Sequence, residues 1–137
     1  MLIENISAID FQNGVHESFG DNTIAIQITD PCGWVPKNKM EFADIYHFEF
    51  LDLEDEFGDI GEFAITDTQA EDIVDILKEA YDRRMNVVVH CTAGICRSGA
   101  VVEVGNMMGF ETGNNYRQPN VLVKSKLLKA LGWTYDN

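Results

Sequence analysis

Basic residues are scarce in this chain of 137 residues: 10 lysines and arginines stand against 23 acids, a net charge of −13. A protein that grips nucleic acid needs a basic surface, so nucleic acid is excluded as a partner. Polyanionic substrates are also disfavoured unless a cleft is locally positive. Long apolar runs are missing too. None approaches the roughly 18 residues of a membrane span, and Met1-Leu2-Ile3-Glu4-Asn5 lacks the basic start and apolar core of a secretory signal. There are three cysteines, which cannot close a disulfide framework and point to a reducing, cytoplasmic setting. No His/Cys spacing suggests zinc, and no cofactor is implied. Repeats, low-complexity stretches and interdomain linkers are absent. With 45% hydrophobic residues, the chain suits a single domain spanning 1–137 with a real core.

What is present is concentrated in Val87-Val88-Val89-His90-Cys91-Thr92-Ala93-Gly94-Ile95-Cys96-Arg97-Ser98-Gly99. An apolar run delivers Cys91 into a short loop, and the loop runs into a second apolar, helical segment. A thiol becomes a good nucleophile when a helix N-terminus or a cation lowers its pKa, and both are provided here. The backbone N–H groups of Thr92, Ala93, Gly94, Ile95, Cys96 and Arg97 can curl into an anion cradle at the start of the helix. Arg97 closes it with a planar fork that matches two phosphate oxygens. Gly94 permits a positive φ within the loop, and Ser98 is placed to donate its hydroxyl to the Cys91 thiolate.

The coarse element order is α/β. Thr23 to Thr29 alternates, with Ile24, Ile26 and Ile28 on one face, and predicts a strand. Asp30 to Pro36 reads as a turn carrying Cys32, and Tyr46 to Leu51 as a second strand. An acidic loop follows from Asp52 to about Gly61. Thr68-Gln69-Ala70-Glu71 has the spelling of a capping box that opens a helix to about Arg84. Its residues Ile73, Ile76, Leu77, Ala80 and Tyr81 should face the sheet. Val87 to Val89 predicts a buried central strand, and Ser98 to Met108 the helix after the loop. Asn120 caps a last helix to about Leu131, with Gly132 as its stop. The segment before Gly20 carries little signal. The expected fold is a layered α/β domain with a central, mostly parallel sheet flanked by helices.

The 90–99 segment resembles the signature loop of the cysteine-dependent protein phosphatases, in the form His-Cys-x-x-Gly-x-x-Arg-Ser. Its late position resembles the dual-specificity phosphatases rather than the low-molecular-weight tyrosine phosphatases. More narrowly, the chain is similar to small phage and bacterial dual-specificity-phosphatase-like proteins. The resembling segments are Ile24-Ala25-Ile26-Gln27-Ile28-Thr29-Asp30-Pro31, Phe48-Glu49-Phe50-Leu51-Asp52-Leu53, the loop itself, and Pro119-Asn120. They lie across most of residues 23 to 131, although only the loop is highly specific. The resemblance implies hydrolysis of a phosphomonoester, on a protein or a small molecule, through a phosphocysteine. Cys91 is then the nucleophile, Arg97 the phosphate ligand, His90 the residue that orients the loop and tunes the thiolate, and Ser98 the aid to thiolate departure.

A proton donor is also required. Asp52 ranks first by the Phe-x-Asp pattern of the small relatives. Asp55 ranks second by a Glu-Asp pair, and Asp59 third by its distance from the nucleophile. Cys-x4-Cys-Arg-Ser is also the spelling of the low-molecular-weight family's loop, which implies a protective Cys91–Cys96 disulfide under oxidation. The competing role for Cys96 is a small apolar residue packed under the helix. Thr92, Ala93, Ile95 and Cys96 include no lysine, which disfavours phosphoinositides. Two other classes remain open: a module that binds phosphoresidues without turnover, and rhodanese-type sulfur transfer, which Arg97-Ser98 disfavours.

Overall fold

The valine run is the centre of the molecule. In the computed structural model, which describes residues 1–132, Asn86–Cys91 is a strand with Val87, Val88 and Val89 fully buried. β-branched residues suit a strand covered on both faces. In chain order the strands are β1 (Leu2–Ser7), β2 (Gly20–Thr29), β3 (Phe42–Glu49), β4 (Asn86–Cys91) and β5 (Glu111–Thr112). The helices are α1 (Ala8–Asn13), α2 (Asp67–Asp82), α3 (Arg97–Met108) and α4 (Val121–Leu131), with a short 3₁₀ turn at Gly61–Phe63. The strands form one sheet in the order β3-β2-β4-β1-β5, and every pairing is parallel. The layered α/β fold expected from the pattern is therefore present. No helix among the described residues is long and apolar enough to cross a membrane.

Register sorts the side chains. Val87 and Val89 lie beside Ile24 and Ile26 on β2 and beside Ile3 on β1, and Cys91 continues that face. This face packs under α2, α3 and α4 in the main core. Val88 and Ala25 point the other way and join Ile6 and Phe11 in a smaller core. His90 lies on that second face, its ring 4.6 Å from that of Phe11. The nucleophile candidate and its neighbouring histidine thus point to opposite sides of the sheet.

Four details differ from the sequence expectations. The capping box is Thr66/Gln69, not one at Thr68: Thr66 Oγ1 accepts from the Gln69 amide at 3.0 Å, and Gln69 Oε1 accepts from the Thr66 amide at 2.9 Å. Gln69 Nε2 also donates to the Glu49 carbonyl, tying this cap to the end of β3 and leaving Thr68 inside the first turn. Tyr81 does not face the sheet. It is 41% exposed, with its ring edge-on to Phe110. β3 starts earlier and ends earlier than Tyr46 to Leu51, because Phe42 packs on Phe11 while the Phe50 carbonyl leaves the ladder to serve Arg97. Residues 2–13, weak in the sequence, form β1 and α1. The cap of α4 is as expected: Asn120 accepts from the Val123 amide, and Gly132 takes the left-handed conformation.

His90 is fully buried, and neither ring nitrogen has a hydrogen-bond partner among the described residues. Burial lowers its pKa from 6.5 to about 4, with the nearby Cys91 backbone opposing slightly. The unfolded chain therefore takes up this proton first. The neutral-histidine contribution is complete above pH 6.5 and is lost as pH falls towards 4. The full effect is at most about 3 kcal/mol. Denaturant melts across that window should show stability falling with acidification by close to one proton more in wild type than in His90→Leu.

Candidate functional site

Cys91 ends β4, and the chain makes five residues of loop before α3 starts at Arg97. The loop is pressed onto the end of β1. Gly94 has φ +75°, and a Cβ there would lie 2.2 Å from the Ile6 carbonyl carbon and 2.4 Å from the Ser7 nitrogen. Only glycine meets both conditions. The loop carbonyls are held from outside. Thr92 O accepts from the Ala8 amide, Gly94 O from Asn5 Nδ2 at 2.7 Å, Ile95 O from the Gln118 amide, and Cys96 O from the Asn120 and Ala100 amides. Among the described residues, no N–H of residues 92–96 has an acceptor. Five donors with no partner, at the N-terminus of a twelve-residue helix, form a site for an anion.

Arg97 is 4% exposed, and three segments hold it. Nη1 donates to Asp30 Oδ1 at 2.8 Å and to the Phe50 carbonyl at 2.7 Å, while Nη2 donates to Thr92 Oγ1 at 3.1 Å. Nε is buried and has no acceptor. The guanidinium is thus fixed with two of its five N–H donors left over, the one on Nε and the second on Nη2. Ser98 Oγ lies 3.1 Å from Cys91 Sγ, with both residues buried. That distance suits a hydroxyl donating to a thiolate.

Of the three acids considered as proton donors, only Asp52 is brought to the loop. Asn120 Nδ2 donates to Asp52 Oδ1 at 2.5 Å and to the Leu53 carbonyl at 3.0 Å. Asp52, Glu54 and Cys96 line an opening of about 570 Å³ together with Gln118, Pro119, Asn120 and Val121. Asp55 is turned to the Phe57 amide in the exposed part of the acidic segment, and Asp59 is exposed. Lys126 of α4 bridges Glu56 at 2.7 Å and Asp67 at 3.1 Å, so the acidic segment is tied to α2 and α4. Cys96 is half-buried beside Asp52, and its thiol is pushed up by burial first and by that carboxylate second. It lines the opening at the N-cap of α3. The other cysteine, Cys32, is exposed in the turn after β2 with φ 58°.

Asp30, Asn5 and Asn120 were not assigned to the site from sequence. Asp30 had one usable signal: it directly follows a strand, and in a parallel sheet the carboxyl ends of the strands gather at one edge. Asn120 had only its place in the resembling Pro119-Asn120 segment, and Asn5 had no signal, because its partners are remote in the chain. His90, expected to orient the loop, has no hydrogen bond to it. Among the described residues no three His, Cys, Asp or Glu side chains are grouped to hold a metal ion. No family model matches this chain, and no curated protein matches it in sequence.

Asn120 serves two elements, as the cap of α4 and the clamp on Asp52. Asn120→Ala should cost about 1–2 kcal/mol from the cap alone, read as a lower thermal midpoint by circular dichroism. Gly94→Val should be far worse and yield little folded protein.

Proposed function

We propose that the protein is a phosphomonoester hydrolase of the cysteine-dependent, dual-specificity-phosphatase-like kind, similar to small phage and bacterial members. The observation that carries this reading is the run of unpartnered loop amides between Cys91 and α3, closed by a buried Arg97 whose Nε lacks an acceptor. The three non-bridging oxygens of a phosphate monoester supply what these donors want.

In the first step the Cys91 thiolate attacks phosphorus, an S–P bond forms and the ester P–O bond breaks. The leaving oxygen takes a proton from Asp52 in its acid form, so an alcohol or phenol departs. Loop amides and Arg97 hold the equatorial oxygens as charge builds on them. In the second step Asp52, now a carboxylate, accepts a proton from a water that attacks phosphorus. The S–P bond breaks, inorganic phosphate forms, and Ser98 donates to the departing thiolate. Asn120 keeps Asp52 over the loop, and Asp30 holds the Arg97 fork in plane. His90 contributes as a buried ring behind the loop.

A thiolate nucleophile is preserved in a reducing compartment, so the cytoplasm is the setting this reading requires. The substrate is a phosphorylated protein or a small phosphomonoester. The opening beside the loop is bordered by Asp52 and Glu54 with no lysine or arginine, which works against polyphosphates.

Hydrolysis of para-nitrophenyl phosphate tests the reading. Wild type should turn over, Cys91→Ser should be inactive, and Arg97→Lys should lose most of kcat/KM because lysine lacks the fork. Asp52→Asn should lower kcat by about 10²–10⁴-fold, while Asp55→Asn and Asp59→Asn stay within about twofold. A wild type that binds vanadate but never turns over would replace this reading with phosphoresidue binding. A large fall in Asp55→Asn in place of Asp52→Asn would move the proton donor.

A further inference from the structure

One edge of the sheet is left open. β3 pairs with β2 alone and ends the sheet. In a parallel ladder the N–H and C=O of one residue point to the same side, and that side alternates along the strand. The Phe50 amide donates to the Thr29 carbonyl of β2 at 3.1 Å, which fixes the phase. Phe48 and Tyr46 therefore turn their backbone groups to β2, while Ala43, Ile45, His47 and Glu49 turn theirs outward. The Glu49 carbonyl is taken by Gln69 Nε2 at 2.9 Å. Ala43, Ile45 and His47 have no backbone partner among the described residues, and all three residues are exposed. Native edges are blunted by lysine or proline, and Phe42–Glu49 contains neither.

Beside this edge lies a groove of about 380 Å³ between β3 and α2, lined by Tyr46, His47, Phe48, Asp72, Asp75 and Ile76. Tyr46 and Phe48 are half-buried, and the two aspartates are exposed. No lysine or arginine lines it. The local potential is negative. Burial first, and then Asp44 and Glu79, push the Tyr46 hydroxyl above its ordinary 10.0. Arg83, which acts the other way, is paired with Glu79 at 3.2 Å. A second copy of this chain is a poor occupant. Pairing two β3 edges would crowd Asp44, Glu49, Asp72 and Asp75 of both copies together, in a protein of net charge −13.

We propose that this edge docks an extended basic segment of a partner protein, which adds as a sixth strand beside Ala43, Ile45 and His47. The outward N–H and C=O groups of those residues supply the backbone bonds. Side chains of an added strand alternate between faces, so every second one enters the groove. Lysine or arginine there lays its methylenes on Tyr46, Phe48 and Ile76 and carries its charge to Asp72 and Asp75. The intervening residues meet Ile45, which is 42% exposed on the opposite face. β-branched apolar residues suit that contact. The recognised pattern is thus a run in which cations alternate with apolar residues. The edge is separated from β4 by β2, and docking there is independent of the chemistry assigned to Cys91.

The test is a titration of the full chain, isotope-labelled, with the blocked peptide acetyl-Thr-Lys-Val-Lys-Val-Lys-Thr-amide. Saturable shifts are expected at the amides of Ala43, Ile45 and His47 and across residues 72–76. The Kd should be on the order of 10⁻⁴ M and weaken as salt is raised. The same peptide with glutamate in place of lysine should not bind. Asp72→Asn combined with Asp75→Asn changes two exposed positions, and should weaken binding at least ~5-fold. Two further peptides, N-methylated on the lysines or on the valines, test strand addition. In one the methyl groups face β3 and binding is lost; in the other they face solvent and binding stays. Ile45→Pro puts its ring on the outer side and spares the β2 ladder, so it should lose binding while still melting cooperatively. No saturable shift, equal binding of the glutamate peptide, or equal binding of both methylated peptides would overturn the proposal. So would a concentration-dependent dimer in sedimentation whose shifts fall on these residues, because the edge would then belong to a second copy.

Discussion

A guanidinium does not lose its charge at any ordinary pH, so once buried it must be surrounded. Arg97 is the position at which this chain meets that demand. Its bonds to Asp30, the Phe50 carbonyl and Thr92 bring the ends of two strands and the 92–96 loop to one point. The Phe50 carbonyl is where the chain departs from β3, and Asp52 follows two residues later. The side chain assigned to phosphate thus also sets where the acidic segment begins. Loop and acid are a single construction, and losing Arg97 would disturb both.

The charge distribution has the same logic at larger scale. A net charge of −13 and acids such as Asp30, Asp52 and Glu54 near the loop would repel any anion if side-chain charges acted alone. Under the proposed reading the attraction would come from dipoles, the five unpartnered loop amides and the start of α3, supported by one cation. Dipole fields fall off quickly, so they act on a group seated in the loop and not on one approaching through solvent. Such a surface gives little long-range steering and selects by fit at close range.

How much was legible follows from how local each signal is. The valine run, the loop and the Asn120 cap of α4 are contiguous, and their physics needs few distant partners. β1 was not legible because Glu4 and Asn5 interrupt its apolar pattern. They are buried all the same, one against the Glu17 amide and the other holding Gly94 and Tyr116 carbonyls. Thr66 and Thr68 both spell a capping box. The choice fell to Thr66 because Gln69 can also reach the Glu49 carbonyl, a partner 20 residues away. Asp30 read as a turn residue, since its value depends on an arginine 67 positions later. Sequence leaves three candidate acids for the same reason: the bond that brings Asp52, alone of the three, to the loop is to Asn120, 68 positions on.

The Asn120 clamp also has a temporal meaning. A chain emerging from the ribosome displays Asp52, then Cys91 and Arg97, well before the residue that fixes the first of them. Strands β1, β2, β3 and β4 can assemble and the loop can close over Gly94 while the acidic segment is still unanchored. Until Asn120 is out and α4 has wound behind it, a nascent chain carries the thiol without a placed acid. If the proposed chemistry holds, competence is conferred late in synthesis, by a residue outside the bond changes.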